Sequence, residues 1–210
     1  MRFPSLLLVA AGVACAPAAT SDPAATPASN SPVAEQRQEQ QQQRAMVPPG
    51  HGTLRQDDIT LSIRSGAVLV KVTPLDEGTI RMLAPDTYQR LTSLRTAREP
   101  EAQRAIPRDA ELFLVSFFSY QPDVTFQPED VQLMYQGGML RPASIQPLTS
   151  GWGQQRLGQQ ETQTAVYAFE GPIEYDQEIA LRYGTEQNDG WRTILTRIET
   201  ERGKILARTR

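Results

Sequence analysis

The chain has 210 residues, with 21 Lys or Arg against 24 Asp or Glu, a formal charge of −3, one histidine and one cysteine. An acidic balance with no basic run excludes the electrostatic footprint of nucleic-acid binding. The lone His51, in Pro48-Pro49-Gly50-His51-Gly52, reads as an exposed linker side chain, which removes Ser-His-Asp, Cys-His and histidine-based zinc chemistry. An enzyme here would have to use carboxylates, and no cofactor or metal is called for.

The chain opens with Arg2, a short apolar run from Leu6 to Ala11, and the small residues Gly12-Val13-Ala14 before Cys15. This start resembles a bacterial lipobox, although such boxes usually carry Leu where Gly12 stands. The resemblance implies that residues 1–14 are a lipoprotein-type signal peptide and that Cys15 is the lipidation site, attaching the protein to the membrane through an N-terminal lipid. Ala16-Pro17 follows the cysteine, and the absence of Asp there implies the outer membrane if the host is Gram-negative. The apolar run is too short to span a bilayer, which takes about 20 residues. With Cys15 lipidated, the folded part has no thiol.

Residues 15–50 are rich in Ala, Pro, Ser and Gln, ending in Gln40 to Gln43, with almost nothing to bury against an ordering entropy of about 1 to 2 kcal/mol per residue. They are expected to be a disordered tether, leaving residues 51–210 as the folded domain. Ile59, Leu61 and Ile63 alternate with polar residues, Ser65-Gly66 turns the chain, and Ala67 to Val72 reads as a second strand. Thr79 to Leu83 is expected to be a third. The period then changes: Tyr88, Leu91 and Leu94 behind Asp86 predict a short helix ending near Glu99-Pro100, with a charged loop from Glu101 to Asp109.

Leu112-Phe113-Leu114-Val115-Ser116-Phe117-Phe118 is β-branched and aromatic without Gly or Pro, and predicts a core strand. Val131 to Tyr135 alternates with period two, and Gly137-Gly138 offers a turn into Met139-Leu140-Arg141. Ile145 to Leu148, Thr164 to Phe169 and Ile179 to Tyr183 continue the pattern. Asn188-Asp189-Gly190 marks a turn, after which Trp191 to Ile198 fits helix or strand; the strand is preferred because Thr193, Thr196 and the turn suit a hairpin.

Roughly seven or eight short strands separated by turns predict a mainly β fold, an antiparallel β-sandwich. The order TFQPEDVQLMYQGGMLRPASIQPL, TAVYAFEGP and EIALRYG resembles the bacterial extracellular immunoglobulin-like domain family, found in lipoproteins. The matching residues are Phe126, Pro128, Val131, Leu133, Gly138, Phe169, Leu181 and Tyr183, within Glu111 to Gly184. The resemblance implies an immunoglobulin-like sandwich with one short helix and assigns no activity.

Carboxylates recur at Asp57-Asp58, Asp76-Glu77, Glu129-Asp130 and Glu174-x-Asp176-x-Glu178; on a strand the last three share one face, which fits a calcium site or, more commonly, a solvated edge. Trp152 and Trp191, with Tyr135, Tyr167 and Tyr183, are candidates for a glycan-stacking surface. The leading expectation is a lipid-anchored envelope protein with a non-enzymatic domain that binds an envelope protein partner or serves structurally. An envelope carbohydrate-binding module and a carboxylate-dependent hydrolase are the alternatives.

One feature of the core strand demands a structural answer. Leu112, Leu114 and Phe118 lie on the face opposite Phe113, Val115 and Phe117, relieved only by Ser116 and Tyr120, so both faces are apolar. The helix from Asp86 to Arg98 is expected to cover that second face, and any part left open becomes the partner site. At the other end of the chain, Cys15→Ser removes the acyl acceptor. The variant is expected to leave the membrane fraction or accumulate unprocessed, and palmitate labelling equal to wild type would contradict the lipid anchor.

Overall fold

The computed structural model describes residues 47–106 and 109–208. β1 (Leu61–Ser65) and β2 (Val68–Pro74) form a hairpin, followed by the helices α1 (Glu77–Ile80) and α2 (Pro85–Ala105). The strands β3 (Ala110–Ser119), β4 (Val124–Thr125), β5 (Val131–Tyr135), β6 (Gly138–Leu140) and β7 (Pro142–Pro147) come next. Then come β8 (Arg156–Leu157), β9 (Glu161–Glu170), β10 (Ile179–Tyr183) and β11 (Glu186–Asn188), and last the helix α3 (Trp191–Arg208). The fold is mainly β, and its paired strands are antiparallel. One sheet has the order β1-β2-β3-β9-β7, a second β11-β10-β5-β6, and β4 pairs with β8.

Aromatic side chains join the two large sheets. Phe117 of β3 stacks on Phe126 with centroids 4.5 Å apart and meets Trp152 at 5.7 Å and Tyr183 of β10 at 5.8 Å, both edge-on. The Tyr167 hydroxyl on β9 donates to the Pro128 carbonyl at 2.9 Å, and the Gln127 amide donates to the Tyr183 hydroxyl at 3.0 Å. Each buried hydroxyl therefore has a partner, without which it would cost about 1–3 kcal/mol. The β5–β6 hairpin turns on Gln136 (φ 49°) and Gly137 (φ 75°), with Tyr135 paired to Gly138. These are the two left-handed positions of a type I′ turn, one residue earlier than Gly137-Gly138.

Several expectations need correction. Thr79 to Leu83 is not a strand: the Asp76 carboxylate accepts from the Thr79 amide at 2.8 Å and its hydroxyl at 2.9 Å, capping α1. The helix expected to stop near Pro100 runs on to Ala105. Proline removes one backbone donor there, but Ala102 beyond it is fully buried. Gln146 of β7, buried beneath, steadies this turn: with its amide donating to Glu101 at 3.2 Å, its carbonyl accepts from the Ala102 N–H at 3.1 Å. Trp191 to Ile198 is helix rather than strand, because the buried series Trp191, Ile194, Ile198 and Ile205 keeps helical spacing along most of an 18-residue helix. Two long helices thus replace the one short helix expected.

The tether boundary also moves. Val47 is fully buried in the core, and Arg81 donates to its carbonyl at 3.3 Å. Leu54 and Leu83 form a parallel bridge, and a Cβ on Gly52 would lie 2.1 Å from the Met82 backbone, so only glycine fits this approach. Thr53 is bound through its amide (3.0 Å) and hydroxyl (2.8 Å) to the buried Glu201 carboxylate of α3. The rest of the expected tether, the signal peptide and Cys15 lie outside the described residues.

α2 packs across the outer face of the five-stranded sheet, against β3 and β7. Leu112 and Leu114 are 5 % and 6 % exposed, Val166 and Ala168 beside them on β9 are fully buried, and Leu91 of the helix is fully buried. The packing expected of this helix is therefore realised over the Leu112–Leu114 end. Leu91→Ala is expected to lower unfolding free energy by about 2–4 kcal/mol in chemical denaturation, against less than about 0.5 kcal/mol for the exposed Gln89→Ala. Equal effects would contradict the cover.

Candidate functional site

Beyond Leu114 the helix no longer covers the sheet. The antiparallel register sets Thr73 beside Leu114, Lys71 beside Ser116 and Leu69 beside Phe118, with Thr162 on the other side of Phe118. Side chains paired in this way share a face, so the outer surface runs from apolar under the helix, through the polar Lys71–Ser116 row, to a mixed row of Leu69, Phe118 and Thr162. Tyr120 stands at the end of β3, 60 % exposed, its ring edge-on to Phe118 with centroids 4.6 Å apart.

The 3₁₀ turn Gln56–Ile59 raises one wall over this floor. It forms because the Asp58 carboxylate accepts from the Arg55 amide at 2.8 Å, closing the turn on its own side chain. Gln56 ties the wall down, donating to the Thr73 hydroxyl at 3.1 Å and accepting from Arg90 of α2. Asp57 reaches forward and pairs with Lys71 at 2.9 Å, while Arg55 lies 3.6 Å from Asp58. The result is an open groove of about 570 Å³ lined by Arg55, Asp57, Lys71, Ser116, Phe118 and Tyr120, among others. That volume lies in the range of small-ligand sites, about 300–1,000 Å³.

Asp57, one of the recurring carboxylates, lines this groove, whereas the tryptophans singled out as a stacking surface fall elsewhere. Trp152 is 7 % and Trp191 1 % exposed, so neither presents a ring face to solvent. Trp152 completes the Phe117–Phe126 cluster, and Trp191 packs near Tyr175 while its Nε1–H donates to the Tyr175 carbonyl at 3.0 Å. Tyr167 and Tyr183 are buried as well. The expected Trp152–Trp191 stacking surface is corrected accordingly: both indoles are core. Glu174, Asp176 and Glu178 lie in the turn preceding β10 rather than on a strand, so the shared-face reasoning behind a calcium site does not apply to them. Among the described residues no group of three or more His, Cys, Asp or Glu is arranged to hold a metal. His51 is exposed.

The alternation along β3 that marked Ser116 and Tyr120 as the polar relief of its outer face was the signal that pointed to the groove. Nothing in the sequence pointed to Arg55 and Asp57 as its wall.

One carboxylate has the perturbed titration often found in active sites. Burial pushes Glu111 up from 4.5 to about 7, opposed by the Tyr175 hydroxyl, which donates to it at 3.0 Å, and reinforced by the nearby Asp76 charge. Burial likewise raises Tyr175. The space beside Tyr175, lined by Asp76, Tyr175 and Arg202, amounts to about 10 Å³, the scale of one water.

No protein-family model matches the chain, and no curated protein or solved structure matches it significantly.

Because folding tightens the hold of Glu111 on its proton, the native state binds more protons than the unfolded state between about pH 4.5 and 7. Stability contributed by the protonated acid is present below that window and falls as pH rises through it. Glu111→Gln is expected to flatten this decline, gaining about 1–3 kcal/mol relative to wild type at pH 8 compared with pH 5. Parallel stability profiles for the two proteins would contradict the assignment.

Proposed function

We propose that this chain is a lipid-anchored cell-envelope protein whose immunoglobulin-like domain is a non-enzymatic binding module, with the outer-face groove as its ligand surface. The observation that carries the reading is the groove itself. An exposed tyrosine and a half-buried phenylalanine stand beside a helix that covers the Leu112–Leu114 end of the same sheet face. A sheet built only as a scaffold has no reason to leave such a patch uncovered, since apolar surface is worth about 25 cal/mol per Å² when buried. The lipobox-like start and the Ala/Pro/Gln-rich segment support an anchor and a stalk that hold the domain away from the membrane, on the outer membrane if the host is Gram-negative. No helix among the described residues is long and apolar enough to cross a membrane.

A binding role also agrees with the polar inventory of the groove. Its floor carries a charged pair formed before any ligand arrives, Lys71 with Asp57 at 2.9 Å. Preorganised side chains lose less freedom on binding, which favours affinity. The domain is retained on isolated envelope material in this reading, and Tyr120→Ala is expected to reduce retention of the purified protein about tenfold, as loss of an aromatic anchor does. Its thermal unfolding should match wild type, because the ring is exposed. Retention equal to wild type would contradict the groove as the ligand surface.

A further inference from the structure

We infer that the groove recognises a neutral glycan, an assignment that rests on the reading of the groove as the ligand surface and names its ligand class. Four observations converge on it. Tyr120 is the one exposed Phe, Tyr or Trp among the described residues, and it borders the half-buried Phe118. The negative face of an aromatic ring attracts the C–H face of a pyranose, whose hydrogens carry slight positive charge, so an open ring at a groove rim suits a sugar.

The cation on the floor of the groove is paired. Lys71 is 2.9 Å from Asp57, and Arg55 stands exposed at the rim, 3.6 Å from Asp58 of the adjoining turn. A phosphate, a uronic acid or an acidic peptide that approached Lys71 would meet the Asp57 carboxylate beside it. An uncharged polyol can instead donate to Asp57 and accept from Lys71 without separating them.

The floor offers no backbone. Leu69, Lys71, Ser116 and Phe118 lie on β2 and β3, each of which is paired with a strand on both sides. Their N–H and C=O groups are engaged in the ladders, so an extended peptide cannot add here as a strand. What faces a ligand is side-chain chemistry: the Ser116 and Thr162 hydroxyls and the Lys71–Asp57 pair around an aromatic edge. Hydroxyl groups that both donate and accept match it.

The test uses the mature full-length chain and an array of neutral hexose and N-acetylhexosamine oligosaccharides, with sulfated and uronic-acid counterparts beside them. Wild type is expected to bind one or more neutral members with little salt dependence. Tyr120→Ala should weaken that binding at least about tenfold, Tyr120→Phe should restore it, and Met139→Ala, outside the groove, should leave it unchanged. Binding confined to the anionic members and abolished by salt would overturn the inference. So would neutral binding indifferent to Tyr120→Ala, or a concentration-dependent dimer lost in that variant, which would make a second copy the occupant. If no glycan binds while envelope retention still requires Tyr120, the glycan assignment falls and the groove remains a surface for an envelope protein. If retention is also independent of Tyr120, both readings fall.

Discussion

A strand that is apolar on both faces can exist in a water-soluble sheet only if each face is covered, and β3 is such a strand. Its inner face, Phe113, Val115 and Phe117, is buried against the second sheet through Phe126, Trp152 and Tyr183. Its outer face needs another layer, which α2 supplies. Burial of a leucine is worth about 1.5–3 kcal/mol, so Leu112 and Leu114 alone justify a helix lying across the sheet. The elements around that helix serve to hold it there. Glu77 binds Tyr88 at 2.8 Å and lies 3.7 Å from Arg95, Gln56 accepts from Arg90, and Gln146 meets the backbone past Pro100.

The groove follows from the same constraint. β3 spans ten residues, and α2 crosses it at the Leu112–Leu114 end, so the Phe118–Tyr120 end is left to solvent. The transition is chemical as well as geometric. Beneath the helix the outer face is Leu, Val and Ala; at its margin lie Lys71, Ser116 and Thr164, and only beyond them does an aromatic pair return. The polar row separates the sealed interior from the open site. Because the 3₁₀ turn that walls the groove is bonded both to β2 through Thr73 and to α2 through Arg90, the covering helix and the site share a support.

The strand and its two-faced character were legible in the sequence, since β-branched and aromatic residues without Gly or Pro admit little else. The helix that covers it was legible from Tyr88, Leu91 and Leu94, although not its length, because Pro100 looks like a stop unless Ala102 and Gln146 beyond it are seen to pack. The C-terminal helix was misread because Trp191 to Ile198 spans only two turns; the deciding residue, Ile205, lies outside that window. Of the site, Ser116, Phe118 and Tyr120 were marked by alternation. Asp57 and Lys71 meet across 14 positions through a turn and a hairpin, a relation that no local period encodes. The tryptophans misled for a related reason: exposure depends on what packs over a residue.

The central claim is that the helical cover on β3 ends between Leu114 and Phe118. Thiol labelling tests it most directly, in a Cys15→Ser background that leaves no other thiol. Leu114→Cys, Phe118→Cys and Tyr120→Cys are each exposed to a small thiol reagent under native conditions. The account predicts rapid labelling at 120, slower labelling at 118, and labelling at 114 only as fast as the domain unfolds. Comparable native-state rates at 114 and 120 would contradict it.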